Sequence, residues 1–130
     1  REFSLIEDEA HKAGLAVIAW MYPRGSKVVG KEHDKETVAY AARLGMELNA
    51  DYVKTYYTGD EESFKWVVKS AGKTGVLAQG GGKIGWERLE SEVRGIMAAG
   101  AKGLAIGRNV WQAERPVEVA EKLGKLVFTS

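Results

Sequence analysis

The chain contains no cysteine, two prolines and two histidines among its 130 residues. The missing cysteine excludes disulfides and thiolate metal sites, and it suits a protein of the cell interior. Histidine is scarce and shows no His/Glu spacing of the kind zinc sites use, so the sequence calls for no metal. No apolar run approaches the roughly 18 residues of a membrane span, and the start carries no signal-peptide pattern. An excess of one charge is lacking too, since nineteen Lys and Arg stand against eighteen Asp and Glu. So weak a field steers the protein toward neither nucleic acid nor a membrane surface. Low-complexity segments and linkers do not occur. The expectation is one cytoplasmic domain over residues 1–130. The chain begins at Arg1 rather than Met, which leaves the natural start open.

What is present is a pattern repeated four times: an apolar run, a glycine-rich or polar loop, then a helical period. The runs are residues 15–21, 52–57, 75–78 and 103–106. Each is short and nearly continuous in apolar residues, as expected of strands buried on both faces. Asp34 is placed to cap a helix that buries Val38, Ala41, Ala42, Gly45 and Leu48. Asp60 is placed to cap the next, with Phe64, Val67, Val68 and Ala71 inward. A third helix near 87–99 turns Leu89, Val93, Ile96 and Met97 to the core. A fourth begins near Pro116, a favoured first-turn residue, and buries Val117, Ala120, Leu123 and Val127. Another helix, about 2–13, precedes the first strand and stops at Gly14.

The order α-(βα)4 implies a parallel sheet with right-handed crossovers. Four strands fit two architectures: half of a (β/α)8 barrel, or a small open sheet with helices on both faces. A whole barrel needs about 250 residues, more than this chain has. Periodicity does not choose between the two, and the strand ends must.

Those ends collect function in either architecture. Lys54 stands inside the aromatic and apolar run Tyr52-Val53-Lys54-Thr55-Tyr56-Tyr57. Burial lowers a lysine pKa, and a neutral amine is the nucleophile that forms an imine with a carbonyl. The plainer reading is a surface lysine, or one paired with Asp51 or Asp60. Tyr22, at the end of the first run, could relay a proton or be a core tyrosine with a wet hydroxyl. Trp20, two residues earlier, shares its face. Arg24, after Pro23, could fork onto a phosphate or form a surface ion pair. Gly80-Gly81-Gly82 and Gly107-Arg108 end the last two runs. Glycines there let backbone N–H groups approach an oxyanion, or simply make tight turns. No Ser or Thr follows Lys83 as a P-loop requires. His11 and His33 are expected to be solvated, and Trp66, Trp86 and Trp111 to pack helices and loops.

Four of these motifs, taken in order, resemble the archaeal-type class I fructose-1,6-bisphosphate aldolases. They are Tyr22-Pro23-Arg24-Gly25, Val38-Ala39-Tyr40-Ala41-Ala42-Arg43-Leu44, Asp51-Tyr52-Val53-Lys54 with Tyr57-Thr58-Gly59-Asp60, and Gly107-Arg108-Asn109-Val110-Trp111-Gln112. The resemblance covers nearly the whole chain. It implies strands five to eight of a barrel, with Lys54 as imine former, Tyr22 as proton-transfer residue and Trp20 as a wall. Gly80, Gly81, Gly107 and Arg108 would hold the phosphate of the dihydroxyacetone-phosphate half, and Arg24 the distal phosphate. Gln79, bordering the glycine loop, joins the substrate-contacting set. The implied reaction is reversible cleavage of a ketose bisphosphate in glycolysis and gluconeogenesis. It needs no cofactor and no metal, because the iminium is the electron sink.

A sister family, the 2-amino-3,7-dideoxy-D-threo-hept-6-ulosonate synthases, has a strand similar to Lys54-Thr55-Tyr56-Tyr57-Thr58-Gly59-Asp60, whereas Trp20 looks more like the aldolases. There are departures: the family usually has proline at positions 75 and 82 and a small residue at 79. An aspartate at the end of strand one, part of the family's site, has no counterpart here. A reading of another class is an inactive half-barrel that self-assembles through its open edges. The expected partners are therefore a phosphorylated sugar and either further copies of the chain or a missing N-terminal half-barrel.

Overall fold

The computed structural model describes residues 2–128. Helix α1 (Glu2–Lys12) leads into β1 (Ile18–Trp20), α2 (Lys35–Glu47), β2 (Tyr52–Thr55) and α3 (Glu61–Ser70). Then come β3 (Gly75–Gln79), α4 (Trp86–Ala98), β4 (Gly103–Ala105), the four-residue α5 (Arg108–Trp111) and α6 (Pro116–Phe128). The four strands form one parallel sheet in the order β1-β2-β3-β4. The expected elements are all present, and α5 is an addition within a segment read from sequence as a loop. The ladders are shorter than the apolar runs on β1, β2 and β4: Leu15 N bonds back to Ala10 O at the end of α1, so the first run begins outside the sheet.

Alternation along the strands explains the architecture. Ala19, Val53, Thr55, Val76 and Ala78 are buried on one face. There they meet Val38 and Ala42 of α2, Phe64 and Val67 of α3, and Ile96 of α4 in one cluster. Small residues let the layers approach closely. A Cβ on Gly45 of α2 would fall 2.1 Å from Val53 Cγ1. A second cluster joins Leu89 and Val93 of α4 to Leu123 of α6. Buried hydroxyls are satisfied by carbonyls: Thr55 Oγ1 donates to Met21 O at 2.8 Å and Thr74 Oγ1 to Ala50 O at 2.9 Å.

The opposite face is not covered. Ile18 is 49% exposed and Trp20 67%. The expectation of strands buried on both faces is therefore corrected, and the open sheet with helices on both sides goes with it. A parallel sheet clothed by helices on one face only is half of a (β/α)8 barrel, its bare face the barrel's interior. Tyr52, on that face, lays its ring over Gly75, where a Cβ would come within 2.5 Å of Cδ1.

One cap agrees with expectation, while one cap and one helix face differ. Asp60 caps α3 as expected, accepting from Ser63 N at 2.9 Å. Asp34 occupies the capping position of α2, but its side chain makes no cap bond. On α6, Leu123 is buried, yet Val117 is 70% exposed and Ala120 is exposed too. The helix turns Val119 and Leu126 to the second cluster instead, and the neighbours it packs on are α4 and α5.

Candidate active site

The parallel register brings Trp20 of β1 beside Lys54 of β2, and Lys54 beside Leu77 of β3. Both Trp20 and Lys54 point to the uncovered face, as the period of two requires. Lys54 is half-buried rather than buried. Its Nζ lies 3.9 Å from the centroid of the Trp20 indole. The plainer pairings are ruled out by geometry. Asp51 accepts from His11 Nε2 and Val17 N, and Asp60 is engaged by Ser63. Among the described residues no carboxylate forms an ion pair with Lys54.

A run of aromatic rings continues from that lysine. Trp20 meets Tyr22 edge-on at 6.3 Å, Tyr22 meets Tyr56 at 5.0 Å, and Tyr56 meets His33 at 4.4 Å. The Arg24 guanidinium lies 5.8 Å from the Tyr22 ring centroid. Burial pushes the Tyr22 hydroxyl above its ordinary pKa, Tyr56 adds to the rise, and Arg24 opposes it. Tyr22 is thus a phenol, able to donate a proton, throughout the neutral range.

Sequence reasoning missed Tyr56 and His33. Tyr56 was findable as the aromatic two residues after Lys54, just past the end of β2. His33 had no local signal: it arrives from the β1–α2 loop, where its Nδ1 contacts Tyr57 O at 3.2 Å. Neither histidine is merely solvated. His11 bridges Glu7 (2.6 Å) and Asp51 (2.9 Å) at the opposite end of the strands.

The glycine loops form a second group. Gly80 N donates to Ala105 O at 3.3 Å, and Gln79 pairs with Ala105 in the ladder. Packing alone explains two of the glycines. A Cβ on Gly80 would meet Ile106 at 2.6 Å, and one on Gly107 would meet the Trp111 ring at 2.1 Å. Around Gly81 and Gly82 there is open space. Arg24 and Arg108 are exposed. A cleft of about 360 Å³ lies beside the loop, lined by Gln79, Gly80, Gly81, His33, Tyr57 and Asn109 among others. Lys54 stands outside it, on the open face. Among the described residues no group of His, Asp and Glu could hold a metal.

Comparison with known proteins connects the geometry to a family. The DeoC/LacD family aldolase model matches residues 1–113. Fructose-bisphosphate aldolase class 1 of Thermoproteus tenax is 47% identical over 128 residues, covering 98% of this chain and 48% of that protein. The class 1 enzyme of Halobacterium salinarum is 40% identical over 129 residues, with the same coverage. The crystal structure of an archaeal fructose 1,6-bisphosphate aldolase superposes with a TM-score of 0.94 at 46% identity, over 99% of this chain and 51% of that one. The structure of an archaeal fructose-1,6-bisphosphate aldolase with its catalytic Lys covalently bound to the carbinolamine intermediate of the substrate gives 0.92 at 46% identity, over 97% and 50%. The chain thus spans about half the length of the curated relatives it matches, and its sheet is half of their barrel. By sequence over most of its length and by fold over nearly all of it, the chain belongs to the DeoC/LacD aldolase family.

Proposed function

We propose that the chain is the lysine-bearing half, strands five to eight, of a class I fructose-1,6-bisphosphate aldolase. One observation carries the reading: Lys54 lies on the interior face of a half-barrel against Trp20, free of carboxylate partners among the described residues, with Tyr22 in the adjoining ring cluster. The Lys54 amine attacks the ketose carbonyl, and loss of water leaves an iminium. When the carbon–carbon bond breaks, its electron pair passes to that cation and the hydroxyl on the departing carbon gives its proton to water, releasing glyceraldehyde 3-phosphate and leaving an enamine. Tyr22, held protonated by burial, protonates the enamine carbon; hydrolysis then frees dihydroxyacetone phosphate and the lysine. Gln79, Gly80, Gly81, Gly107 and Arg108 serve the phosphate of that half, and Arg24 the distal one. The identities to fructose-bisphosphate aldolases, together with Trp20, favour this substrate over that of the sister synthases.

The bare face and the two open sheet edges imply a completing unit of four more parallel strands. The described residues supply five helices of ten or more residues to four strands. Two identical copies would crowd ten such helices around eight strands, where the barrel has eight. A different half with four strands and three helices fits better than a second copy. The setting we infer is cytoplasmic; among the described residues no helix is long and apolar enough to cross a membrane.

Borohydride trapping with dihydroxyacetone phosphate, followed by peptide mapping, tests the proposal. A stable adduct on Lys54 is the expected result. No adduct on folded chain, even with a complementary half added, would overturn the aldolase reading and leave the inactive half-barrel.

A further inference from the structure

We propose that Asn109 is a positioning residue that sets the shape of the glycine loop at the end of β3; this rests on the reading of that loop as an oxyanion cradle. Residues 80–82 are three consecutive glycines, and no side chain of their own restricts the backbone. Of the three, Gly81 and Gly82 have open space around them. Such a loop has one shape only if something outside it imposes one.

Asn109 does so with both ends of its amide. Its Oδ1 accepts from Ile84 N at 2.8 Å, and its Nδ2 donates to Gly82 O at 3.1 Å. Asn109 is buried, 6% exposed, while Ile84 is half-buried and Gly82 exposed, so it is the asparagine's own amide that is costly to leave unmatched. A second tether runs beside it: Lys83 Nζ donates to Gln112 O at 2.6 Å. Both ties anchor the β3 loop to the segment immediately after β4. One asparagine therefore couples Gly80-Gly81-Gly82 to Gly107-Arg108, the two pieces assigned to one phosphate.

The role needs an amide in particular. Aspartate would keep the acceptor for Ile84 N but face Gly82 O with a second acceptor. Alanine would lose both bonds. Asn109 touches neither the lysine nor Tyr22, so its effect should fall on phosphate affinity and not on the amine's chemistry.

The test is titration with inorganic phosphate, followed by the amide signals of Gly80, Gly81 and Arg108 in the unaltered protein and in Asn109→Ala. Hydrogen exchange at Ile84 reports the clamp and at Val53 and Val76 the fold. The expected result is about tenfold weaker phosphate binding, from two lost hydrogen bonds. Ile84 exchange should be faster while Val53 and Val76 stay protected. Equal affinity in the two proteins would overturn the proposal, as would an unaltered protein that shows no phosphate response at the glycine amides. Should the alanine variant lose its fold, Asn109→Asp replaces it, keeping the bond from Ile84 N and losing the one to Gly82 O: the glycine amides must broaden before any phosphate is added, and unchanged line widths would reject the clamp. A protein that binds phosphate through the clamp yet forms no Lys54 adduct would refute the aldolase reading alone.

Discussion

Lys54 Nζ sits 3.9 Å from the centre of the Trp20 indole, across one strand pair of the sheet. The ring confines the nitrogen, and misplacing a reacting group by 1 Å can cost roughly a hundredfold in rate. Trp20→Ala should slow imine formation about tenfold with an unchanged urea midpoint, since the side chain is 67% exposed. Lys54→Met should abolish the borohydride-trapped adduct while keeping the fold; an adduct retained in that variant would place the nucleophile elsewhere.

Tyr22→Phe separates imine formation from proton transfer. In the completed barrel, turnover should drop about a hundredfold, the usual contribution of a placed general acid. The Lys54 adduct with dihydroxyacetone phosphate should persist. Turnover equal to that of the unaltered enzyme would remove Tyr22 from the chemistry and leave it as a wall of the ring cluster.

The His11 bridge makes stability depend on pH in a stated direction. The hydrogen bond to Asp51 holds the His11 imidazole above its ordinary pKa against the opposing effect of burial, with the charges of Asp51 and Glu7 adding to the rise. The folded chain thus keeps a proton that an unfolded histidine releases at about pH 6.5. The bridge's stabilisation is full below that value and is lost as pH rises through the folded pKa. Asp51 is shifted the other way, by the Val17 N–H first and His11 second. Its contribution holds above the ordinary carboxylate range and fades as pH falls through its lowered value. The urea midpoint should therefore decline between pH 6 and pH 8.5. His11→Gln should flatten that slope, and an equal slope in both proteins would show that the bridge does not couple to folding.

Core variants test the packing of helices on the outer face. Phe64 is fully buried, so Phe64→Ala should cost about 3–5 kcal/mol in a denaturant titration. Gly45→Ala is the more discriminating change. Alanine favours a helix by about 1 kcal/mol over glycine. Its Cβ would nonetheless fall 2.1 Å from Val53 Cγ1, and overpacking of that kind costs about 1–3 kcal/mol. Net destabilisation is expected. A stabilised variant would mean that α2 and β2 can separate without penalty.

The alternation of runs and helical periods carried the element order, because each strand and helix announces its own period. The chemistry of the first ring group was legible for a similar reason. Tyr22 follows Trp20 by two residues and Tyr56 follows Lys54 by two, just past the ends of β1 and β2, and the parallel register sets Trp20 beside Lys54. Asn109 and His33 were not legible as partners of the glycine loop and Tyr56. Their contacts span 25 residues or more in the first case and 23 in the second, and no local pattern encodes such a distance.

By itself, then, the sequence determined the α-(βα)4 order, the parallel sheet and the residues standing at its strand ends, since these follow from local periodicity and turn chemistry. Tertiary structure decided which face of the sheet the helices cover. Apolar residues occupy both faces of the strands, so burial on either side was compatible with the pattern. Right-handed crossovers and the close approach of Gly45 to Val53 placed α2, α3 and α4 together on one side. The other side, with Trp20 and Lys54, was left bare, and it is there that a half-barrel differs from an open sheet.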